Sequence, residues 1–163
     1  KIIKFDLSQL GGKIIAQKDA FLCSAKGVSI GIEFQRKLGT GIFGGEGFIM
    51  QKLEGDGLAF AHAGGFVVER QLQPGEVLKV DTGCVVAYTP NIDFDIEMVR
   101  GIKNFMFGGE GLFFAKLTGP GHVWLQSLPI SRLAGRIMQY GTYKRKEEGG
   151  ILGGLGNLLD GRE

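Results

Sequence analysis

Gly-Gly-Glu-Gly-Leu-Phe-Phe-Ala-Lys-Leu-Thr-Gly-Pro-Gly-His-Val-Trp-Leu-Gln, residues 108–126, is the stretch that decides the fold of this chain. Two apolar runs flank Thr118-Gly119-Pro120-Gly121, and the glycines supply backbone freedom for tight reversals. The stretch predicts turn, strand, tight turn, strand. A second copy stands upstream at residues 44–62, as Gly-Gly-Glu-Gly-Phe-Ile-Met-Gln-Lys-Leu-Glu-Gly-Asp-Gly-Leu-Ala-Phe-Ala-His. Gly44, Gly45, Glu46 and Gly47 match Gly108, Gly109, Glu110 and Gly111, a step of 64 residues, and Gly119, Gly121 and Trp124 complete the later copy. The chain reads as a duplication built on a hairpin.

Outward from this motif, period-two alternation dominates. Residues 2–7, 13–17, 21–25 and 28–34 form extended runs, with turns at Gly11-Gly12 and Lys26-Gly27. The same order returns at residues 66–69, 76–80, 84–88 and 92–98, offset by 63 and then by 64 residues, with one residue inserted near Pro90. On that alignment Asp81-Thr82-Gly83 falls where Asp19-Ala20 stands. The expectation is one β domain over residues 1–130, made of two units (about 1–65 and 66–129) with about five short strands each. Glycine-turned strands without a helical period predict an all-β, internally repeated antiparallel sandwich or a barrel-like short β-helix.

Residues 131–163 differ in character. Ser131 is placed to cap a short helix with apolar positions at Leu133, Ala134, Ile137 and Met138. A glycine-rich tail follows, expected to be mobile or docked on its own core, with Leu152, Leu155, Leu158 and Leu159 as the alternative contact for a protein partner, a second copy or a membrane surface. It is too short to span a bilayer, which takes about 20 apolar residues.

Composition narrows the function. Glycine contributes 29 of 163 residues, against the roughly 7% of an average chain, and the excess is expected in turns and bulges. A net charge of +2 gives no basic face for nucleic acid, and Lys144-Arg145-Lys146 is followed at once by Glu147-Glu148. Cys23 and Cys84 lack the spacing of a zinc site or a disulfide framework and fit a reducing setting.

Each candidate constellation has a simpler structural explanation. Asp81-Thr82-Gly83 after an apolar strand is how aspartic proteases present a carboxylate, but two carboxylates must share one proton, so only a dimer pairing Asp81 with its own copy would serve. Otherwise Asp81 is a turn residue accepting backbone N–H bonds. Gly39-Thr40-Gly41-Ile42-Phe43-Gly44 has dinucleotide-motif spacing, yet no helix N-terminus follows to present amides to a phosphate. Glu46 and Glu110 are expected to accept bonds from neighbouring glycine amides. Lys116, matched by Lys52, is expected to snorkel or to pair with a Glu. His62 and His122 are expected as core or interface histidines. If the units pack about a twofold, His122, Trp124 and Gln126 would face Leu58, Phe60 and His62.

Residues 80–88 (Val-Asp-Thr-Gly-Cys-Val-Val-Ala-Tyr), 107–113 and 117–126 together resemble the altered-inheritance-of-mitochondria (mitochondrial biogenesis) family, and the resemblance covers nearly all of residues 1–135. It implies a fold similar to the tryptophan RNA-binding attenuation protein, a short double-stranded β-helix. It also implies a further unit ahead of Lys1. Mitochondrial members are implicated in inner-membrane organisation, and bacterial members have no established activity. RNA binding does not transfer with the fold.

The function expected is a non-catalytic oligomeric scaffold or binding module, a homo-oligomer with a trimer among its sizes. No catalytic, cofactor or metal site and no nucleic-acid partner is expected. The setting expected is the bacterial cytoplasm, with the mitochondrion as alternative. The competing readings are an aspartic-type hydrolase using Asp81 across a dimer, and a small-ligand or RNA-binding β module with a cavity near Trp124.

Overall fold

A computed structural model describes residues 1–36, 47–98, 113–138 and 140. The chain divides into two compact units, Lys1–Pro129 and Ile130–Glu163. The described part of the first unit holds β1 (Ile2–Asp6), β2 (Lys13–Gln17), β3 (Phe21–Ser24), β4 (Ser29–Arg36), β5 (Phe48–Glu54) and β6 (Leu58–His62). It continues with β7 (Val67–Leu72), β8 (Val77–Asp81), β9 (Val85–Tyr88), β10 (Asp93–Met98), β11 (Phe113–Thr118) and β12 (Gly121–Gln126). In the second unit a helix, α1, covers residues 130–138. It starts before Ser131, which therefore sits in the first turn instead of capping it.

The strands form three antiparallel sheets, in the orders β1-β6-β3, β10-β11-β8 and β4-β5-β2-β9-β12-β7. None of the three closes into a barrel, which corrects the barrel-like alternative. Among the described residues each half contributes six strands, one more than expected, because both runs of the glycine motif are strands in their own right.

The hairpin expectation is overturned. β5 pairs with β4 and β2, β6 pairs with β1 and β3, and β5 and β6 lie in different sheets. The later copy repeats this, with β11 between β10 and β8 and β12 between β9 and β7. Both edges of each strand are taken, so none is left for its sequence neighbour. The glycine turn is a corner that carries the chain from one sheet into another. It is tied to the loop joining the first two strands of its half. Leu7 N–H donates to the Gly57 carbonyl at 3.1 Å and Gly55 N–H to the Gly12 carbonyl at 2.9 Å. In the second half Gly119 N–H donates to the Glu76 carbonyl at 2.9 Å and Gly75 N–H to the Gly119 carbonyl at 3.2 Å. A Cβ at Gly119 would run into the Gln73 carbonyl oxygen, which explains why only glycine fits this corner.

The halves also correspond in their irregularities. A 3₁₀ turn at Lys18–Ala20 precedes β3, and another at Thr82–Cys84 precedes β9, a step of 64 residues from Lys18 to Thr82. The residue ahead of the first turn is Gln17 and the residue ahead of the second is Asp81. The offset is therefore already 64 at this point. Asp81 matches Gln17, not Asp19, and the insertion expected near Pro90 is not needed. β3 and β9 each carry a register shift against the corresponding neighbour, between Phe21 and Cys23 opposite β6 and between Val85 and Ala87 opposite β12.

Two apolar cores result. Phe5, Leu7, Ile14, Leu53, Ala59 and Ala61 meet Val86 and Trp124 in one, while Leu72, Val85, Tyr88, Ile96, Leu117 and Val123 meet Ile15, Phe48 and Met50 in the other. Each core belongs mainly to one half and borrows side chains from the other across the six-stranded sheet. The join is β2 against β9, where Ile15 stands opposite Tyr88 and Ala16 opposite Ala87.

Candidate functional site

The Asp81 loop is built as a structural turn. Asp81 Oδ1 accepts the Gly83 N–H at 2.9 Å and so caps the 3₁₀ turn, and Thr82 between them is buried. Gln126 then ties the turn to the link between the halves, since its Nε2 donates to the Gly83 carbonyl and its Oε1 accepts the Gly64 N–H, at 2.9 and 2.8 Å. At the matching place in the first half Gln17 Nε2 donates to Asp19 Oδ2 at 3.2 Å. At the position that matches Asp81 by the 3₁₀ turns the first half therefore carries an amide, not the second carboxylate that acid proteolysis needs.

The histidines stay apart. His62 is exposed at the end of β6 opposite Ile2. His122 lies 3.5 Å through Nδ1 from Glu69 Oε1 and stacks on Trp124 with ring centroids 6.0 Å apart. Among the described residues no three His, Cys, Asp or Glu side chains gather as metal ligands. Trp124 is 7% exposed and meets Phe5 edge-on at 5.0 Å, so it fills the first core. The expected face of Leu58, Phe60 and His62 against Trp124 is not formed, because alternation turns Ala59 and Ala61 of β6 into that core instead.

Repeated charges are spent on ion pairs, across strands for Lys13, Lys79 and Lys116 and along β5 for Lys52. Lys13 reaches Glu33 at 3.0 Å, Lys52 reaches Glu54 at 3.3 Å, and Glu97 takes Lys79 at 2.6 Å and Lys116 at 3.9 Å. Lys116 pairs with a Glu as expected. Phe34, Phe48 and Tyr88 each meet the Phe94 ring, with Tyr88 stacked on it at 5.1 Å. Burial, and after it the Glu33 and Asp93 carboxylates, push the Tyr88 phenol well above its ordinary pKa.

Gly44, Gly45, Glu46, Gly108, Gly109, Glu110, Gly111, Leu152, Leu155, Leu158 and Leu159 lie outside the described residues, as do the whole Gly39–Gly44 motif and the rest of the tail. Gly47, with a φ of 83°, leads directly into β5. Among the described residues no helix is long and apolar enough to cross a membrane, which says nothing of a β-barrel.

What distinguishes the two halves is burial at matched positions. All four residues of β9 are buried, whereas in β3 Leu22 and Cys23 are exposed. In β2 four of five residues are buried; in β8 none is, and Val77 stands 48% exposed. The cause is topological. β2 and β9 cover each other in the six-stranded sheet, while β3 and β8 end their three-stranded sheets, with one strand neighbour each among the described residues. These two edges are the candidate site. Sequence reasoning misses them, although Lys79 and Asp81 in β8, where β2 carries Ile15 and Gln17, signal a less covered strand.

The profile of the mitochondrial biogenesis AIM24 family matches residues 1–128. This chain belongs to that family. An uncharacterized protein of Streptococcus pyogenes serotype M6 is 31% identical to this AIM24-family chain over 108 residues, which are 65% of the chain and 42% of that protein. A crystal structure of a Streptococcus pyogenes protein superposes with a TM-score of 0.68 at 25% identity, covering 86% of this chain and 60% of that one. The AIM24-family chain therefore spans less than two thirds of the length of these relatives.

Proposed function

We propose that this AIM24-family chain is a non-catalytic scaffold or binding module that works as a homo-oligomer, and that its described β portion consists of two successive copies of one unit. The observation that carries this reading is the burial contrast between matched strands. β9 buries four residues that β3 leaves half-buried or open, and β8 shows Val77 where β2 is covered. Open strand edges bearing apolar side chains are places where another polypeptide adds a strand. The ion pairs and the capped Asp81 turn hold the surface in shape, and the reading assigns them no chemistry.

A reducing, cytoplasmic setting fits an exposed Cys23 that forms no disulfide. The glycine-rich tail, residues 149–163, is proposed as an additional contact for a protein or a membrane surface.

The test is the solution mass by light scattering from low to high micromolar concentration, on the chain with and without residues 149–163. The expected result is a mass that is a multiple of 17.6 kDa. A single-chain mass throughout, in both forms, overturns the proposal.

A further inference from the structure

We infer that α1 and the basic run after it, residues 130–146, lie on an anionic lipid surface, with the apolar stripe of the helix toward the acyl chains and the cations among the headgroup phosphates. The inference concerns a segment ahead of the glycine-rich tail and none of the strand edges, so it stands or falls independently of the assembly reading above.

The charge of the chain is placed unevenly. Residues 1–129 hold 13 Lys and Arg against 13 Asp and Glu and are neutral. Residues 130–146 hold Arg132, Arg136, Lys144, Arg145 and Lys146 with no acidic residue, a charge of +5. Residues 147–163 hold Arg162 against Glu147, Glu148, Asp160 and Glu163, a charge of −3, so that 0, +5 and −3 give the +2 of the whole. The small net value hides one cationic segment, and such a segment calls for an anionic partner.

The same segment carries an apolar stripe. Ile130, Leu133, Ala134, Ile137 and Met138 recur at the spacing that puts them on one side of α1, while Arg132 and Arg136, four residues apart, share the other. Ile130, Ile137 and Met138 are 74%, 62% and 72% exposed. A helix of this length is too short to be stable alone in water, where even about 12–15 residues are marginal, so it gains its stability from whatever covers the stripe.

Charge and stripe together select that surface. A polyanion such as duplex nucleic acid would take the cations and leave the stripe in water. A second copy would take the stripe and set like charges against each other. An anionic bilayer answers both demands, because interfacial helices bury an apolar face at the boundary of headgroups and acyl chains and keep basic residues on the other. Tyr140, 80% exposed, and Tyr143 stand between the stripe and the basic run, and tyrosine favours that boundary. An acidic protein groove would also answer both demands, and a test on lipid alone separates the two.

The test is co-sedimentation of the full chain, at low salt, with vesicles of phosphatidylcholine alone and of phosphatidylcholine and phosphatidylserine in equal parts. The chain should sediment with the mixed vesicles and stay in solution with the neutral ones. Replacing Lys144, Arg145 and Lys146 together by Ala should weaken binding about a hundredfold, at about fivefold for each cation near such a surface. Leu133→Glu with Ile137→Glu should abolish it. Both variants should keep the wild-type melting temperature and Trp124 fluorescence.

No sedimentation with the mixed vesicles overturns the inference, as does equal sedimentation with both kinds, in which the cations do nothing. A stripe variant that melts earlier, or whose solution mass falls, shows the stripe covered by the chain itself or by a second copy, and overturns it too. A wild-type mass of one chain at every concentration would overturn the assembly reading and leave the lipid contact standing.

Discussion

Ala16 of β2 and Ala87 of β9 stand opposite each other at the junction of the six-stranded sheet, and neither exposes any surface. A larger side chain at either place has nowhere to go. Ala16→Leu should overpack the first core and cost about 1–3 kcal/mol. Cys23 is the open position that matches Ala87, and Cys23→Leu should stay within about 0.5 kcal/mol in the dilute chain, because that residue is exposed. Urea unfolding followed by Trp124 fluorescence compares the two, and equal costs would refute the burial difference.

Trp124 is the only tryptophan and closes the first core against Phe5. Trp124→Phe should be tolerated better than Trp124→Ala, for which a loss of about 3–5 kcal/mol is expected. Such a loss is a large part of a typical stability of about 5–15 kcal/mol. The same packing argues against a ligand cavity here. Wild-type fluorescence should not respond to small apolar ligands, and a saturable change on titration would reopen the ligand-binding reading.

Asp81 caps a turn, so its substitutions should track hydrogen bonding and not acid chemistry. Asp81→Ala should cost about 1 kcal/mol, within the range of about 0.5–2 for lost caps, and Asp81→Asn should cost less because an amide oxygen still accepts. Denaturant midpoints check the ranking. Peptide cleavage in acid that vanishes in Asp81→Asn, with the fold intact, would return the hydrolase reading.

Strand positions are legible because alternation is a local signal, and β2, β4 and β10 fall where period two places them. Choice of partner is not. Glu54-Gly55-Asp56-Gly57 between β5 and β6 has the letters of a hairpin turn, and only the distant β1, β2, β3 and β4 decide that the two strands part. Identity of letters matches Asp81 to Asp19. The backbone matches it to Gln17, because a 3₁₀ turn takes the same shape whether its cap carboxylate accepts a backbone N–H or, as at Gln17, the side chain makes no cap bond and reaches only the Asp19 carboxylate. Burial of β9 against exposure of β3 is invisible in the letters for the same reason: it depends on which strand covers which.

The Tyr88 phenol predicts a slope in alkaline stability. Folding raises its pKa, so the folded chain keeps a proton that the unfolded chain gives up from pH about 10 upward. The unfolded state then binds fewer protons, and stability falls as pH rises, by at most about 1.4 kcal/mol per unit, until the folded phenol also ionises. Below pH about 10 the contribution is complete. Between pH 9 and 11 the urea midpoint of the wild type should therefore fall further than that of Tyr88→Phe, which has no proton to lose at this position. Parallel curves would refute the shift.

Gly119 and Gly75 both lie where the β11–β12 corner meets the β7–β8 loop, but for different physical reasons. Gly75 has a φ of 76° with nothing within 4 Å of an added Cβ, so Gly75→Ala carries backbone strain alone, about 1–2 kcal/mol. At Gly119 an added Cβ would collide with the Gln73 carbonyl oxygen and lie 2.8 Å from the Leu72 Cβ. Leu72 is fully buried and pairs with Gly121, so that neighbour cannot retreat. The corner itself must move, and the two bonds that tie it to Glu76 and Gly75 move with it. Gly119→Ala should therefore cost more than Gly75→Ala, about 3 kcal/mol or above. It should also raise the exchange of the Gly75 and Gly119 amides, which Gly75→Ala leaves protected at residue 119. Equal melting points for the two variants would show that the corner is looser than its geometry.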